Sequence, residues 1–228
     1  SLFTAGFNPR SNMVFLFRLL GRLPLRLLHH LGALAGWATY LFSPTYRRHL
    51  RENVRQAGLD DDVRRAAVGE AGKQILELAR ILSKTQAEAS ALVAEVNGWE
   101  HVEAAQQAGK GIVFLTPHLG CFEITAQYYS GFGDITVLYR APRQAAIQQM
   151  ILDGRQRANL HLAPADVSGV RALIKALKKG QAVGMLPDQA PKVGEGVWLK
   201  FFGRWAYTMT LAGRLTETGA TTLMAWGE

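Results

Sequence analysis

Residues 111–123 read GIVFLTPHLGCFE and combine the pattern of a short buried strand with the start of a helix. A short apolar run at 111–116 leads through polar and glycine residues into a helical pattern at 120–131. The same succession recurs along the chain, with apolar runs at 134–140, 158–163, 181–187 and 221–226 and helical patterns at 99–109, 143–157, 166–179 and 206–219. Short buried strands that alternate with helices predict an α/β fold, a mostly parallel sheet flanked by helices on both faces.

The most apolar part of the chain precedes this region, at residues 13–42. Arg18, Arg22 and Arg26 recur every four residues, so they form a basic stripe beside a leucine-rich helix surface. Pro24 is expected to kink or divide the helix. Residues 31–42 carry no charge and include interfacial aromatic residues. The pattern predicts an amphipathic segment at a membrane surface; a core helix of a soluble bundle is the alternative.

Three segments follow from these patterns. Residues 1–12 show no periodicity and are interpreted as a disordered or artificial lead-in before Met13, and residues 13–42 as a membrane-anchoring helical segment. Residues 43–228 form the main domain, which begins with an arginine-rich stretch after Ser43 and Pro44. Asp60 is expected to cap a helix that runs to about Leu82.

The net charge of +8 favours acidic partners, namely phospholipid headgroups, a phosphorylated substrate, an acidic carrier protein or nucleic acid. Nucleic acid is the weakest of these, because no aromatic stacking platform is interleaved with the basic residues. The 48% hydrophobic and 19% charged residues exclude a disordered or fibrous chain. The single cysteine, Cys121, excludes an internal disulfide.

His118 and Glu123 form the strongest candidate for catalysis. His118 follows the carboxyl end of the first strand of the sheet, where parallel α/β sheets place their active sites. Glu123 lies in the first turn of the next helix and is expected to orient one imidazole nitrogen, which leaves the other as a general base. Backbone N–H groups at this turn are expected to stabilise an oxyanion.

Cys121 lies inside the same motif and is the alternative nucleophile, paired with His118. Cys–His hydrolases usually carry these groups on separate segments. Cys121 is therefore interpreted as a small packing residue. No metal-ligand spacing is present, and no cofactor is predicted.

Further polar residues follow two other strands. Arg140 ends the second strand, with Arg143 close behind, and Asp188 ends the fourth. A guanidinium at this edge can bind phosphate or polarise a carbonyl, and Asp188 can hold Arg140 or a sugar hydroxyl. These three residues are predicted to bind substrate, although a surface ion pair would also explain the two arginines.

Two surfaces have a predicted binding role. The glycine-rich loop after Asp188 carries Trp198, Phe201 and Phe202, which are expected to line an acyl channel or touch a membrane; core packing is the alternative for part of this set. The helix at 166–179 carries a basic face that either docks an acidic carrier protein or is simply solvated, formed by Arg171, Lys175, Lys178 and Lys179.

The sequence resembles the bacterial lipid A biosynthesis (late) acyltransferases, within the lysophospholipid acyltransferase superfamily marked by His-x4-Asp/Glu. The resemblance runs from about Met13 to the end. It rests on TPHLGCFE, on the YR after the second strand, and on blocks at 23–54 (LPLRLLHHLGALAGWATYLFSPTYRRHLRENV), 170–189 (VRALIKALKKGQAVGMLPDQ) and 194–208 (GEGVWLKFFGRWAYT). Glutamate at position 123 resembles the lipid A branch.

The resemblance implies transfer of a fatty acyl group from acyl carrier protein to a hydroxyl of a lipid A precursor, at the cytoplasmic face of the cell inner membrane. His118 would be the general base and Glu123 its partner, with Arg140 and Asp188 at other motif positions. Family members usually continue for several dozen residues beyond MAWGE, so the chain is expected to be a shortened form. Rival functions are a glycerophospholipid or other glycolipid acyltransferase, a thioesterase or hydrolase, and a non-catalytic lipid-binding protein.

Overall fold

The computed structural model describes residues 9–140, 142, 145–155 and 157–228. The helices in this part of the chain are α1 (Pro9–Arg22), α2 (Leu25–Phe42), α3 (Pro44–Gln56), α4 (Asp61–Leu82), α5 (Gln86–Ser90), α6 (Trp99–Ala108), α7 (Glu123–Tyr129), α8 (Ala145–Arg155), α9 (Val167–Lys178) and α10 (Leu211–Thr216). The strands are β1 (Ile112–Leu115), β2 (Ile135–Tyr139), β3 (Leu160–Pro164), β4 (Ala182–Met185), β5 (Gly196–Phe201), β6 (Arg204–Met209) and β7 (Thr221–Met224).

Five strands form a parallel sheet in the order β3-β2-β4-β1-β7. Because successive side chains of a strand point to opposite faces, each strand contributes to two cores. Ile112 and Phe114 of β1 pack on one face with residues of α6 and α7. Val113 packs on the other face with residues of α9 and α10. The predicted α/β class, a mostly parallel sheet between helices, is confirmed.

The N-terminal helices divide where the sequence indicates. α1 ends at Arg22 and α2 begins at Leu25, on either side of Pro24. α2 packs so closely against α4 that a Cβ on Gly72 would lie 2.0 Å from the carbonyl oxygen of Gly32. None of the described helices is both long and apolar enough to span a membrane.

Caps fix the starts of α3 and α4. The Ser43 hydroxyl accepts a hydrogen bond from the backbone N–H of Tyr46 at 3.3 Å. Asp60 accepts from the backbone N–H groups of Asp62 and Val63, both at 3.1 Å, as expected for an N-cap. The predicted helix after Asp60 therefore forms, and it ends at Leu82.

Three boundaries differ from the sequence-based expectation. α1 begins at Pro9, so residues 9–12 are helical and not part of an irregular lead-in. The expected loop at 194–202 contains β5, and the expected helix at 206–219 is divided between β6 and α10. Phe202 and Gly203 adopt φ values of 47° and 76°, the positive values that a two-residue hairpin turn requires. This turn joins β5 to β6 as an antiparallel hairpin, which helical periodicity does not reveal.

Candidate active site

The register of β1 and β4 brings two polar residues together. Leu115 pairs with Met185, and the backbone N–H of Thr116 donates to the carbonyl of Met185 at 2.9 Å. His118 and Asp188 each follow this pair by three residues, so both lie just beyond the carboxyl edge of the sheet. Parallel α/β sheets carry their sites at this edge.

Asp188 binds His118 through two hydrogen bonds. The His118 backbone N–H donates to Oδ2 and the ring nitrogen Nδ1 lies 2.8 Å from Oδ1. Partial burial raises the pKa of Asp188, but the hydrogen bonds from His118 outweigh it and leave that pKa below its usual value. Because an ionised carboxylate only accepts hydrogen bonds, it fixes the imidazole proton on Nδ1.

The second ring nitrogen of His118 is then the free base. Nε2 lies 3.2 Å from the amide nitrogen of Gln189, which can only donate, so Nε2 acts as the acceptor. Phe122 packs against the imidazole with its ring centroid 4.8 Å away. His118 is thus held on one edge by a carboxylate and presents a lone pair on the other, as a general base requires.

The loop that carries His118 is fixed from two sides. The side-chain amide of Gln74, on α4, donates to the carbonyl oxygens of His118 and Gly120 at 3.2 and 2.8 Å. Gly120 has a φ of +53°, and a Cβ there would lie 1.9 Å from the carbonyl oxygen of Gly227. The loop therefore requires glycine at this position.

Glu123 lies in a different environment from the one that its spacing predicts. Its carboxylate is buried and accepts two hydrogen bonds from the Arg155 guanidinium, at 2.8 and 2.6 Å. Gln127 donates to the same carboxylate at 3.4 Å. Among the described residues no hydrogen bond joins Glu123 to His118, so the predicted contact is not formed, and the carboxylate is paired with Arg155 instead.

The expected oxyanion donors are also engaged within the chain. The backbone N–H of Cys121 donates to the Gly227 carbonyl at 2.7 Å, and those of Phe122 and Ile124 donate to the carbonyls of Gly120 and Cys121 at 3.1 Å. These three groups are therefore not free to bind a developing oxyanion in this conformation. Two of them serve local turns and that of Cys121 serves the contact with Gly227, and a role in oxyanion binding for this helix start stays a prediction.

Cys121 is a poor nucleophile in this setting. Burial, together with the charge and hydrogen bond of Glu77, raises the pKa of the Cys121 thiol to about 12. Since the thiolate is the reactive form, the thiol is inert near neutral pH. The interpretation of Cys121 as a packing residue agrees with this environment.

The other predicted residues occupy three places. Arg140 follows β2 and is exposed on the same edge of the sheet as His118, while Arg143 lies outside the described residues. Trp198, Phe201 and Phe202 are exposed on the β5–β6 hairpin and do not line an enclosed core. The basic face of α9 is exposed as expected, with Arg171, Lys175, Lys178 and Lys179.

Sequence reasoning missed three residues of the site. Gln189 directly follows Asp188 and shares its place at the end of β4, so that position could have revealed it. Gln74 and Arg155 lie on helices far along the chain and carry no local signal. Only the packing of α4 and α8 against α7 and its preceding loop brings them to the site.

A carboxylate-oriented imidazole at the open edge of a parallel sheet defines the class: an α/β protein with a general-base site suited to activating a hydroxyl or water. The sequence matches the bacterial lipid A biosynthesis acyltransferases over residues 10–225, so the chain belongs to this family.

A curated relative supports the assignment. The chain is 28% identical over 122 residues to a lipid A biosynthesis acyltransferase of Haemophilus influenzae. The alignment covers 52% of this chain and 37% of that protein. The chain thus spans only part of the relative's length.

Proposed function

We propose that this protein is an O-acyltransferase of lipid A synthesis, which transfers a fatty acyl group from acyl carrier protein to a hydroxyl of a lipid A precursor. The observation that carries the proposal is the geometry of His118. Asp188 binds its Nδ1, while its Nε2 accepts a hydrogen bond from the side-chain amide of Gln189. Family membership supplies the substrate class.

The chemistry requires a single proton carrier. Nε2 of His118 takes the proton of the acceptor hydroxyl as its oxygen attacks the thioester carbonyl carbon, and an O–C bond forms. Collapse of the tetrahedral intermediate breaks the C–S bond, and the imidazolium returns the proton to the leaving thiolate. A positioned base of this kind accelerates a reaction by roughly 10²–10⁴-fold.

Two charged groups support this step. Asp188 stabilises the imidazolium that forms, because its carboxylate already contacts Nδ1. Arg140 is an exposed cation on this edge and is proposed to stabilise the oxyanion or a substrate phosphate. Glu123 is proposed to act through Arg155 and the placement of α7, and its importance for activity stays a prediction.

We further propose that α1 and α2 hold the enzyme at the cytoplasmic face of the inner membrane. Their outer surfaces expose large apolar side chains beside the predicted basic stripe, and Phe42 is 85% exposed. The basic face of α9 is the proposed docking surface for acyl carrier protein, since this face is free and carries only positive charge.

The test uses purified protein with acyl carrier proteins of several chain lengths and a tetra-acylated lipid A precursor, with products identified by mass spectrometry. The proposal predicts an acylated precursor and a loss of roughly 10²–10⁴-fold in the folded variant His118→Ala. Transfer to lysophosphatidic acid alone would favour a glycerophospholipid acyltransferase. Release of free fatty acid with no acylated acceptor would favour a thioesterase.

A further inference from the structure

The β5–β6 hairpin exposes apolar side chains on both of its faces. Its register pairs Trp198 with Tyr207 and Lys200 with Trp205 on one face. Trp198 and Trp205 are 62% and 64% exposed. The opposite face carries exposed Val197, Leu199 and Phe201. A two-stranded ribbon is only marginally stable in water. An exposed apolar area of this kind therefore indicates a surface that binds a partner.

Aromatic and cationic groups are interleaved along this ribbon. The Lys200 ammonium lies 5.7 Å from the Trp205 ring centroid. Phe202, at the turn, packs edge-on against Phe201 with the ring centroids 4.7 Å apart. Amphipathic aromatic rings beside lysine and arginine are typical of segments that lie between headgroups and acyl chains.

α3 supplies a basic surface next to the hairpin. None of its residues is buried. A groove of about 350 Å³ runs along the helix and is lined mainly by guanidinium groups, with Glu52 as its acidic residue. The lining arginines are Arg47, Arg48, Arg51 and Arg55.

Gln56 joins these two elements. Its amide nitrogen donates to the carbonyl oxygen of Phe201 at 3.2 Å, and the Arg204 guanidinium donates to its amide oxygen at 3.2 Å. The end of α3 therefore contacts the tip of the hairpin. Together α3 and the hairpin form one surface, called here the α3–hairpin surface, with arginines on the helix and aromatic rings on the ribbon.

We infer that the α3–hairpin surface binds an anionic lipid bilayer, with the hairpin tip inserted among the headgroups and the α3 arginines on lipid phosphates. Charge complementarity selects this occupant, because the arginines of α3 outnumber the carboxylates near them. These carboxylates are Glu52, which lies 4.0 Å from Arg48, and Asp60 and Asp61, which line an adjoining cavity with Arg51 and Arg55. The inference goes beyond the proposed acyl transfer and does not depend on it. It also differs from anchoring by α1 and α2, which are separate elements of the chain.

Two properties of the surface fit this role. The tip of the ribbon projects its aromatic side chains outward, because Phe201 and Phe202 are 63% and 58% exposed. A bilayer also covers both faces of the ribbon at once. Insertion into a bilayer therefore removes the apolar side chains of both faces from water. A flat protein partner would cover only one face.

The test places an environment-sensitive fluorophore on the hairpin. The full chain carries Cys121→Ala and Phe201→Cys, and the new thiol is labelled. Vesicles of phosphatidylcholine with and without phosphatidylglycerol are then added. A matched probe at Lys179→Cys, at the C-terminal end of α9, is the control for binding that involves other surfaces.

We expect the emission of the Phe201 probe to shift to the blue with phosphatidylglycerol vesicles, whereas the Lys179 probe stays unchanged. Arg48→Gln combined with Arg55→Gln should weaken the shift about 25-fold in lipid concentration, since each arginine near an anionic surface contributes about fivefold. The same charge loss on α9, by Lys175→Gln with Lys178→Gln, should have no effect. High salt should reduce the response.

Several results would overturn the inference. An unshifted Phe201 probe on bound protein would show that the hairpin remains in water. Equal shifts with neutral and anionic vesicles, or equal losses in the α3 and α9 variants, would remove the role of the α3 arginines. A probe shift that depends on protein concentration without vesicles would show that a second copy of the chain covers the hairpin.

Discussion

Two carboxylates beside the His118 loop have opposite environments. Asp188 lies at the open edge of the sheet, where it keeps part of its surface exposed and binds the imidazole. Glu123 lies beneath the loop, almost fully buried, and binds the Arg155 guanidinium. The difference separates two tasks, orientation of the base at the edge and support of the loop below it.

The difference also shows why spacing along the chain is a weak guide to side-chain pairing. Glu123 is five residues from His118, but a guanidinium from α8 binds both of its oxygens. Asp188 is remote in sequence, but the strand register places it beside His118.

The buried pair is expected to dominate stability. Arg155→Met leaves the Glu123 carboxylate buried without its counter-charge, which typically costs about 3–5 kcal/mol of unfolding free energy. Urea titration of the wild type and the variant measures the loss. Adding Glu123→Gln to Arg155→Met should restore much of it, because the uncompensated charge is then gone. A single variant as stable as the wild type would contradict the pairing.

Asp188 is expected to control turnover with little effect on stability. Asp188→Asn cannot hold the imidazole in the same tautomer, and misplacement of a catalytic group costs on the order of 10²-fold in kcat. Steady-state kinetics with a folded variant measures this. Glu123→Gln is the matched substitution at the buried carboxylate. Any loss of activity in this variant should be explained by a lower melting temperature. A fully stable Glu123→Gln variant with no activity would return the orienting role to Glu123.

Arg140 lies on the same edge of the sheet as His118 and Asp188. Arg140→Ala should lower kcat on the order of 10²-fold, the size of a lost transition-state donor. Arg140→Lys should restore part of the rate if charge alone matters. Wild-type rates in Arg140→Ala would show that this exposed guanidinium has no part in the reaction.

Cys121 lies between the two regions and is expected to have the smallest effect. Its raised pKa of about 12 keeps the thiol protonated well above neutral pH. Alkylation of the folded protein by iodoacetamide should therefore stay slow at pH 7 and increase only as the pH rises toward that value. Cys121→Ala should keep its activity. Capture of an acyl group on Cys121 would contradict direct transfer to the acceptor.

Much of the sheet could be predicted because its signals are local. The apolar runs and helical patterns from Trp99 to Met185 correspond to the observed strands and helices, since each strand is short and the central strands β1 and β4 are almost wholly buried. Pro24 and Asp60 marked helix boundaries for equally local reasons. The β5–β6 hairpin was missed because apolar residues occupy both faces of β5, so the alternation of apolar and polar residues typical of a strand is absent. Its turn also has a phenylalanine at positive φ, where glycine or asparagine is usual.

The site could be predicted only in outline. Strand ends located His118, Arg140 and Asp188, because parallel strands bring their carboxyl ends to one edge. The partners of these residues depend on tertiary packing. Arg155 reaches Glu123 from α8 and Gln74 reaches the loop from α4, and no sequence pattern specifies either contact.

Asp188, and not Glu123, is expected to hold the proton on Nδ1 of His118. The most direct measurement is ¹⁵N–¹H NMR of histidine-labelled protein, with the His118 signals assigned by their loss in His118→Ala. We expect an Nδ1–H tautomer in the wild type and in folded Glu123→Gln, and a changed ring signal in Asp188→Asn. A His118 signal that changes in Glu123→Gln and persists in Asp188→Asn would contradict it.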